Sequence, residues 1–121
     1  SSQIKKGRSG IKECLEFIDK GYSIALMIDQ RLGEGDRVKF FSKTAHTTSL
    51  PAQLSLKYHL SVVPIFIERE HKDSFKMKIY EPINTSNFKN KSEITLKLNE
   101  VLENMIMKNP NQWIWTHDRW K

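Results

Sequence analysis

Two short runs set the architecture: Ser61-Val62-Val63-Pro64-Ile65-Phe66-Ile67-Glu68, and six residues further on Phe75-Lys76-Met77-Lys78-Ile79-Tyr80. The first is rich in β-branched and aromatic residues, and Pro64 strains its pairing, as proline does in a strand. The second alternates apolar and basic residues, the pattern of a strand with one face covered. Downstream, residues 92–108 read as the clearest helix, with Ser92 as its cap and Ile94, Leu98, Val101, Leu102, Met105 and Ile106 on one face. Asn109-Pro110 stops it.

Upstream, residues 49–59 read as a helix capped by Thr48 or Ser49, with Pro51 in its first turn. The stretch 29–48 has no sustained period and reads as a long loop interrupted by Val38-Lys39-Phe40-Phe41. Residues 23–28 form an apolar run typical of a central parallel strand, and residues 9–20 a helix capped by Ser9 and ended by Gly21. Helices alternating with apolar strands predict an α/β fold, a mixed sheet flanked by helices, with the apolar faces of the helices at 9–20 and 92–108 buried against it.

A chain of 121 residues fits one domain or a piece of one. The single cysteine, Cys14, excludes a disulfide framework and a Cys-rich zinc site. The longest apolar run, Ile24-Ala25-Leu26-Met27-Ile28, is far too short to span a bilayer. The net charge of +6 is spread over several segments instead of forming the clustered basic stripe of a nucleic-acid binder. A diffuse positive balance suits anionic lipid or a phosphorylated substrate.

Nucleophile and phosphate-loop signals are weak. Gly21-Tyr22-Ser23-Ile24-Ala25 resembles a nucleophile elbow, but Ser23 would open a strand where an elbow needs a strand-to-helix turn. Gly33-Glu34-Gly35 is a lone G-x-G with no helix start behind it. The histidines at 46, 59, 71 and 117 show no ligand spacing, so no metal site is expected and no cofactor is called for.

Four blocks then combine. They are Ile28-Asp29-Gln30, Phe40-Phe41-Ser42-Lys43-Thr44-Ala45-His46-Thr47-Thr48, Val62-Val63-Pro64-Ile65-Phe66-Ile67-Glu68-Arg69, and the tail Asn109-Pro110-Asn111-Gln112-Trp113-Ile114-Trp115-Thr116-His117-Asp118-Arg119-Trp120-Lys121. In order and spacing they resemble the bacterial lipid A biosynthesis (lauroyl/myristoyl) acyltransferases, within the lysophospholipid acyltransferase group, over essentially the whole chain. The tail pattern P-x-Q-W-x-W-x-H-x-R-W-K carries the most specificity. Ser42 departs from the glycine usual there, which tolerates backbone angles that serine does not.

The resemblance implies an enzyme at the cytoplasmic face of the bacterial inner membrane. It would move a fatty acyl chain from acyl carrier protein or acyl-CoA to a lipid A precursor, with no nucleic acid involved. The family's signature is a histidine, four residues, then an acid: a base and the group that orients it. The position five beyond His46 is Pro51, beyond His59 Pro64 and beyond His71 Lys76, and His117 has only four residues after it, so no histidine fits. Residues 1–121 are therefore expected to be a single C-terminal portion of a glycerolipid-acyltransferase-like domain, inactive alone, with the membrane anchor and the His-x4-Asp/Glu motif upstream of it.

Within that frame Asp29 and Gln30, at a strand's C-terminal end, are expected to line the cleft, although Asp29 would equally cap a turn. Arg31, Arg37 and Lys43, with Lys39 beside them, are candidate contacts for phosphate or an acidic donor protein. Thr47 and Thr48 join them at a helix start that both caps and attracts anions, and Arg69 is either a substrate contact or half of an ion pair. Trp113 and Trp115 are expected to pack on the sheet, whereas Trp120, Arg119 and Lys121 are the candidates for the membrane interface. The competing reading is a non-catalytic basic α/β module that binds an acidic partner or nucleic acid.

Overall fold

The amphipathic patterning places three long helices where the sequence reading has them. The computed structural model describes residues 3–4 and 7–121. Helix α1 runs Arg8–Asp19, α2 Leu50–Tyr58 and α3 Lys91–Lys108. Two antiparallel hairpins complete a mixed α/β chain: β1 (Asp36–Phe40) with β2 (Lys43–Thr47), and β3 (Ile65–His71) with β4 (Ser74–Ile79). Single 3-10 turns lie at Thr85–Asn87 and Pro110–Gln112.

The helix ends show why each helix stops where it does. Gly21, at φ 82°, follows the C-cap Lys20 of α1; its N–H donates to Ile18 O, and that of Tyr22 to Phe17 O. This double closure needs a left-handed residue that glycine adopts freely. At the start of α3 the cap is Asn90, not Ser92: Asn90 Oδ1 accepts from Glu93 N at 3.0 Å, and Glu93 Oε2 reaches back to Lys89 N at 2.9 Å. Gly7, not Ser9, precedes α1, with no side-chain cap.

Helix α3, about 27 Å long at 1.5 Å per residue, is the spine that two core clusters share. Toward its N-terminus Ile94 and Leu98 pack with Ala52 of α2, flanked by Ile28, Leu56, Val62, Ile83 and Phe88. Toward its C-terminus Ile106 packs with Phe40 and Ala45 of the first hairpin, flanked by Phe41, Leu102, Trp113 and Trp120.

Three expectations need correction. Residues 23–28 form no strand: Met27 is 82% exposed and no described strand runs beside them. An apolar run asks for burial, but a strand exists only where a neighbour supplies the ladder; here only Ile28 is drawn into a core cluster. The stretch 29–48 is not one loop, since Asp36–Phe40 pairs with Lys43–Thr47 in strict register. Its connection is the dipeptide Phe41-Ser42, with φ of 48° and 64°. Two positive φ values mark a turn that usually takes Asn-Gly, which is why the sequence hides it. The turn is held by Phe41 N donating to Glu103 Oε1 at 2.7 Å. Finally, the apolar face of α1 is only partly covered: Cys14 is buried, Leu15 and Ile18 are half-buried and Ile11 is exposed.

The second hairpin carries the alternation read from the sequence. Ile65 pairs with Ile79 and Ile67 with Met77, but these side chains, with Phe75, form an exposed apolar face. No helix among the described residues is long and apolar enough to cross a membrane.

Candidate functional site

The tail folds back over the first hairpin, and aromatic packing drives it. Phe40, fully buried, stacks on Trp120 at a centroid distance of 5.5 Å and meets Trp113 edge-on at 5.8 Å. Trp120 Nε1 donates to Phe40 O at 3.0 Å, and Trp115 Nε1 to Pro110 O at 2.8 Å, so the two indoles keep a partner while their rings pack. Gly35 lets the chain pass close by: a Cβ there would lie 2.6 Å from the carbonyl oxygen of Thr47.

Beneath this aromatic cover lies a polar knot centred on Thr47. Its hydroxyl donates to Ala45 O at 3.2 Å and accepts from Asn99 Nδ2 at 3.2 Å and from Arg119 Nη2 at 3.0 Å. One donor and two acceptor positions are thereby filled, the full capacity of a hydroxyl. Asn99 Nδ2 also donates to Lys39 O at 2.9 Å, pinning α3 to the hairpin. Arg119 is wholly buried, its guanidinium lying 4.3 Å over the Phe40 ring, and its backbone carbonyl accepts from His46 N. Arg119 Nε and Nη1, Asn99 Oδ1 and His46 Nδ1 find no partner among the described residues. Burial pushes the Arg119 guanidinium below its ordinary range, and the charge of Asp29 works in the opposite direction.

Beside the knot, Asp29, Gln30, Trp113, Ile114 and His117 line a shallow cavity of about 170 Å³. Its wall is fixed where Arg31 N donates to His117 Nε2 at 2.9 Å. That bond occupies the Nε2 lone pair of His117. Carboxylate, amide, imidazole and indole around one opening suit an amphiphilic ligand.

Asp29 and Gln30 both line this cavity, although the strand at 23–28 whose end was expected to place them does not form. Arg31 contributes its backbone N–H, and its side chain is exposed. Arg37 and Lys43 are exposed on the hairpin, and Thr48 Oγ1 accepts from Leu50 N at 3.3 Å as a local cap. Thr47 is corrected: buried and saturated, it has no atom left for a substrate. Arg69 lies on the other hairpin, donating to Lys72 O and covering Phe75 at 4.7 Å, outside the cavity. Arg119 and Trp120 are corrected as membrane-interface groups, since one is fully buried and the other is half-buried against Phe40; Lys121 alone is exposed. Trp113 packs into the core as expected, whereas Trp115 stays 45% exposed.

Asn99 was not singled out from the sequence. The available signal is its place on the helix face shared by Thr95, Leu102 and Ile106, where a lone amide at helical spacing asks for a partner.

A family model for bacterial lipid A biosynthesis acyltransferases matches residues 3–121. No curated protein matches the chain. With nearly every residue inside that match, including the tail and hairpin that build the knot and the cavity, the chain belongs to the bacterial lipid A biosynthesis acyltransferase family.

Proposed function

We propose that the chain acts as a portion of an acyltransferase domain that moves a fatty acyl chain from acyl carrier protein or acyl-CoA to a hydroxyl of a lipid A precursor. The working place is the cytoplasmic face of the bacterial inner membrane. The observation that carries this reading is the convergence of separate motif blocks: the tail wraps the Phe40-Phe41 hairpin and brings His117 and Trp113 beside Asp29 and Gln30. The cavity supplies positioning, and the base comes from a His-x4-Asp/Glu segment outside these 121 residues. The exposed apolar face of Ile65, Ile67, Phe75, Met77 and Ile79 is where the remainder of such a domain would pack.

The test is acyl transfer from acyl carrier protein to a lipid A precursor. The chain alone is expected to give none, losing the roughly 10²–10⁴-fold contribution of general-base catalysis. A longer polypeptide carrying the histidine segment is expected to turn over, and Asp29→Ala within it to lower the rate well beyond any loss of folded protein. Turnover by the 121 residues alone overturns the division of labour, and near-normal turnover of Asp29→Ala reduces Asp29 to a capping group.

One observation favours the second reading, a binding module for an acidic partner. Lys76, Lys78 and Lys108 surround a cavity of about 190 Å³ with Tyr80, and Glu68 is the one carboxylate lining it. Lys108 Nζ donates to Tyr80 Oη at 2.6 Å, and this bond raises the Lys108 pKa above its ordinary value. Submicromolar binding of acidic protein by the chain, with no transfer from the longer polypeptide, selects this reading.

A further inference from the structure

The second hairpin has two unlike faces, and the polar one is assembled into a site. Register pairs Phe66 with Lys78 and Glu68 with Lys76, so the pleat turns these four side chains away from the apolar side of Ile65, Ile67, Met77 and Ile79. Tyr80 continues the series just beyond β4, and the last turn of α3 brings Lys108 to it. Together the six residues line the cavity of about 190 Å³. The alternation of Lys76 and Lys78 with apolar residues is therefore more than the wet side of a strand. It delivers two ammoniums to a place where a third arrives from another element.

The charges there are unmatched. Three ammoniums and one carboxylate leave a net charge of +2. Glu68 is itself held, its Oε1 accepting from Asn109 Nδ2 at 3.1 Å. Lys76 reaches Glu70 only at 3.9 Å between exposed side chains, a contact worth little. Among the described residues neither Lys78 nor Lys108 forms an ion pair, and their ammoniums sit 4.9 and 4.8 Å from the centre of the same Tyr80 ring. Like charges gathered on one ring repel each other, and a bound anion relieves that repulsion. Tyr80 adds a donor. Its oxygen accepts from Lys108 Nζ at 2.6 Å, which polarises the phenol and leaves the hydroxyl proton for a further acceptor; none takes it among the described residues.

We infer that this cavity is a binding site for a phosphate monoester, held by Lys76, Lys78 and Lys108 and by the hydroxyl of Tyr80. The charge count selects the ligand. A phosphate monoester carries about −1.5 to −2 at pH 7 and offers three strong acceptor oxygens, which answers the net +2 of the lining and its several donors. A carboxylate or a phosphodiester brings a single charge and leaves the rest uncompensated. The site itself stands apart from the acyltransferase reading, whereas assigning the monoester to the headgroup of a lipid acceptor rests on it.

The test follows the amide spectrum of the ¹⁵N-labelled 121-residue chain. Inorganic phosphate is titrated at slightly alkaline pH with chloride holding the ionic strength at about 0.15 M, so that screening stays constant, and acetate is titrated in parallel. Phosphate is expected to shift the resonances of Lys76, Lys78, Tyr80 and Lys108 saturably, and acetate to bind at least about tenfold more weakly. Lys78→Gln and Tyr80→Phe, the second keeping the ring and losing only the hydroxyl, are each expected to weaken phosphate about three- to tenfold. Lys57→Gln, which removes a lysine lying over Tyr58 on α2, is expected to leave it unchanged. None of these side chains is buried, and unchanged amide positions outside the hairpin verify that each variant folds. A vesicle arm separates the sources: phosphatidylcholine carrying phosphatidic acid, a monoester headgroup, against phosphatidylglycerol, a diester, at equal surface charge. A preference for phosphatidic acid that Lys78→Gln abolishes assigns the site to a lipid headgroup. Saturable phosphate binding with no vesicle preference assigns it to a soluble phosphate ester, and both results support the site. Shifts that never saturate, acetate binding as tightly, or an equal loss in Lys57→Gln overturn it. Phosphate binding with no acyl transfer by the longer polypeptide leaves the site standing and removes the enzymatic reading.

Discussion

Replacing Thr47 with valine is a nearly isosteric change that asks how much the polar knot contributes. Valine keeps the volume and the β-branching that suit a strand, so packing against Phe40 and α3 changes little. What disappears is one oxygen that accepts from Arg119 Nη2 at 3.0 Å and from Asn99 Nδ2 at 3.2 Å. Asn99 Nδ2 retains Lys39 O at 2.9 Å, so its loss is partial. Arg119 loses the one side-chain hydrogen bond it makes, in a site with no exposure. Leaving a charged donor buried and unmatched costs about 2–3 kcal/mol, and the weakened Asn99 contact adds about 0.5–1 kcal/mol. The sum, about 3 kcal/mol, corresponds to a fall of roughly 10 °C in the unfolding midpoint for a chain of this size. Thr47→Ser keeps the oxygen and loses a methyl, so it should cost only about 1 kcal/mol. Circular dichroism against temperature and urea measures both. If Thr47→Val unfolds within about 0.5 kcal/mol of the native chain, the hydroxyl is not what holds Arg119, and the reasoning fails.

Ser42→Gly should stabilise the chain by about 0.5–1 kcal/mol, because Ser42 sits at φ 64° where a side chain is strained; a lower urea midpoint would refute the turn geometry. Trp120→Phe retains most of the stack on Phe40 but removes the indole N–H bonded to Phe40 O, and should cost about 1 kcal/mol, against about 3 kcal/mol for Trp120→Ala. Equal losses for the two would show that the hydrogen bond contributes nothing separable. The ammonium of Lys91, 3.0 Å away, and then the Ser49 hydroxyl hold the Asp36 carboxyl below its ordinary pKa. A carboxyl lowered on folding adds stability above its unfolded pKa and loses it as pH falls through the folded one. The gap between native chain and Lys91→Met should therefore be at most about 1 kcal/mol at pH 7, for an exposed pair, and should close in acid. A gap unchanged down to pH 2 would exclude the pair as its source.

Helices α1, α2 and α3 were legible because their apolar residues recur at helical spacing and glycine or proline marks their ends. The β3–β4 hairpin was legible from the alternation of Phe75, Met77 and Ile79 with Lys76 and Lys78. The β1–β2 hairpin was not, since its signal turn carries Phe41 and Ser42 where glycine would announce it. Residues 23–28 misled for the opposite reason: composition reports a preference for burial, whereas strand formation depends on a partner that lies elsewhere in the chain. At the site, Asp29 and Gln30 were reached from the sequence through a strand at 23–28 that does not form, and they line the cavity from an irregular segment. Arg119 could not be placed, because a basic residue between Asp118 and Trp120, followed by Lys121, reads as a membrane-interface group. Only tertiary structure, in which Phe40 and Thr47 enclose it, turns that charge inward.

The contacts that close the hairpin core span 72 residues between Thr47 and Arg119 and 80 between Phe40 and Trp120. During synthesis at about 5–20 residues per second, the β1–β2 hairpin emerges seconds before the indoles that cover Phe40 have been made. Until then Phe40 and Phe41 lack their aromatic lid, and such long-range closure is slow because the intervening loop must first be ordered. A nascent chain halted at Lys108 would thus expose an aromatic patch that a chaperone can hold. The same chain extended by a dozen residues would bury it, which makes the tail the step that commits the molecule to its native state.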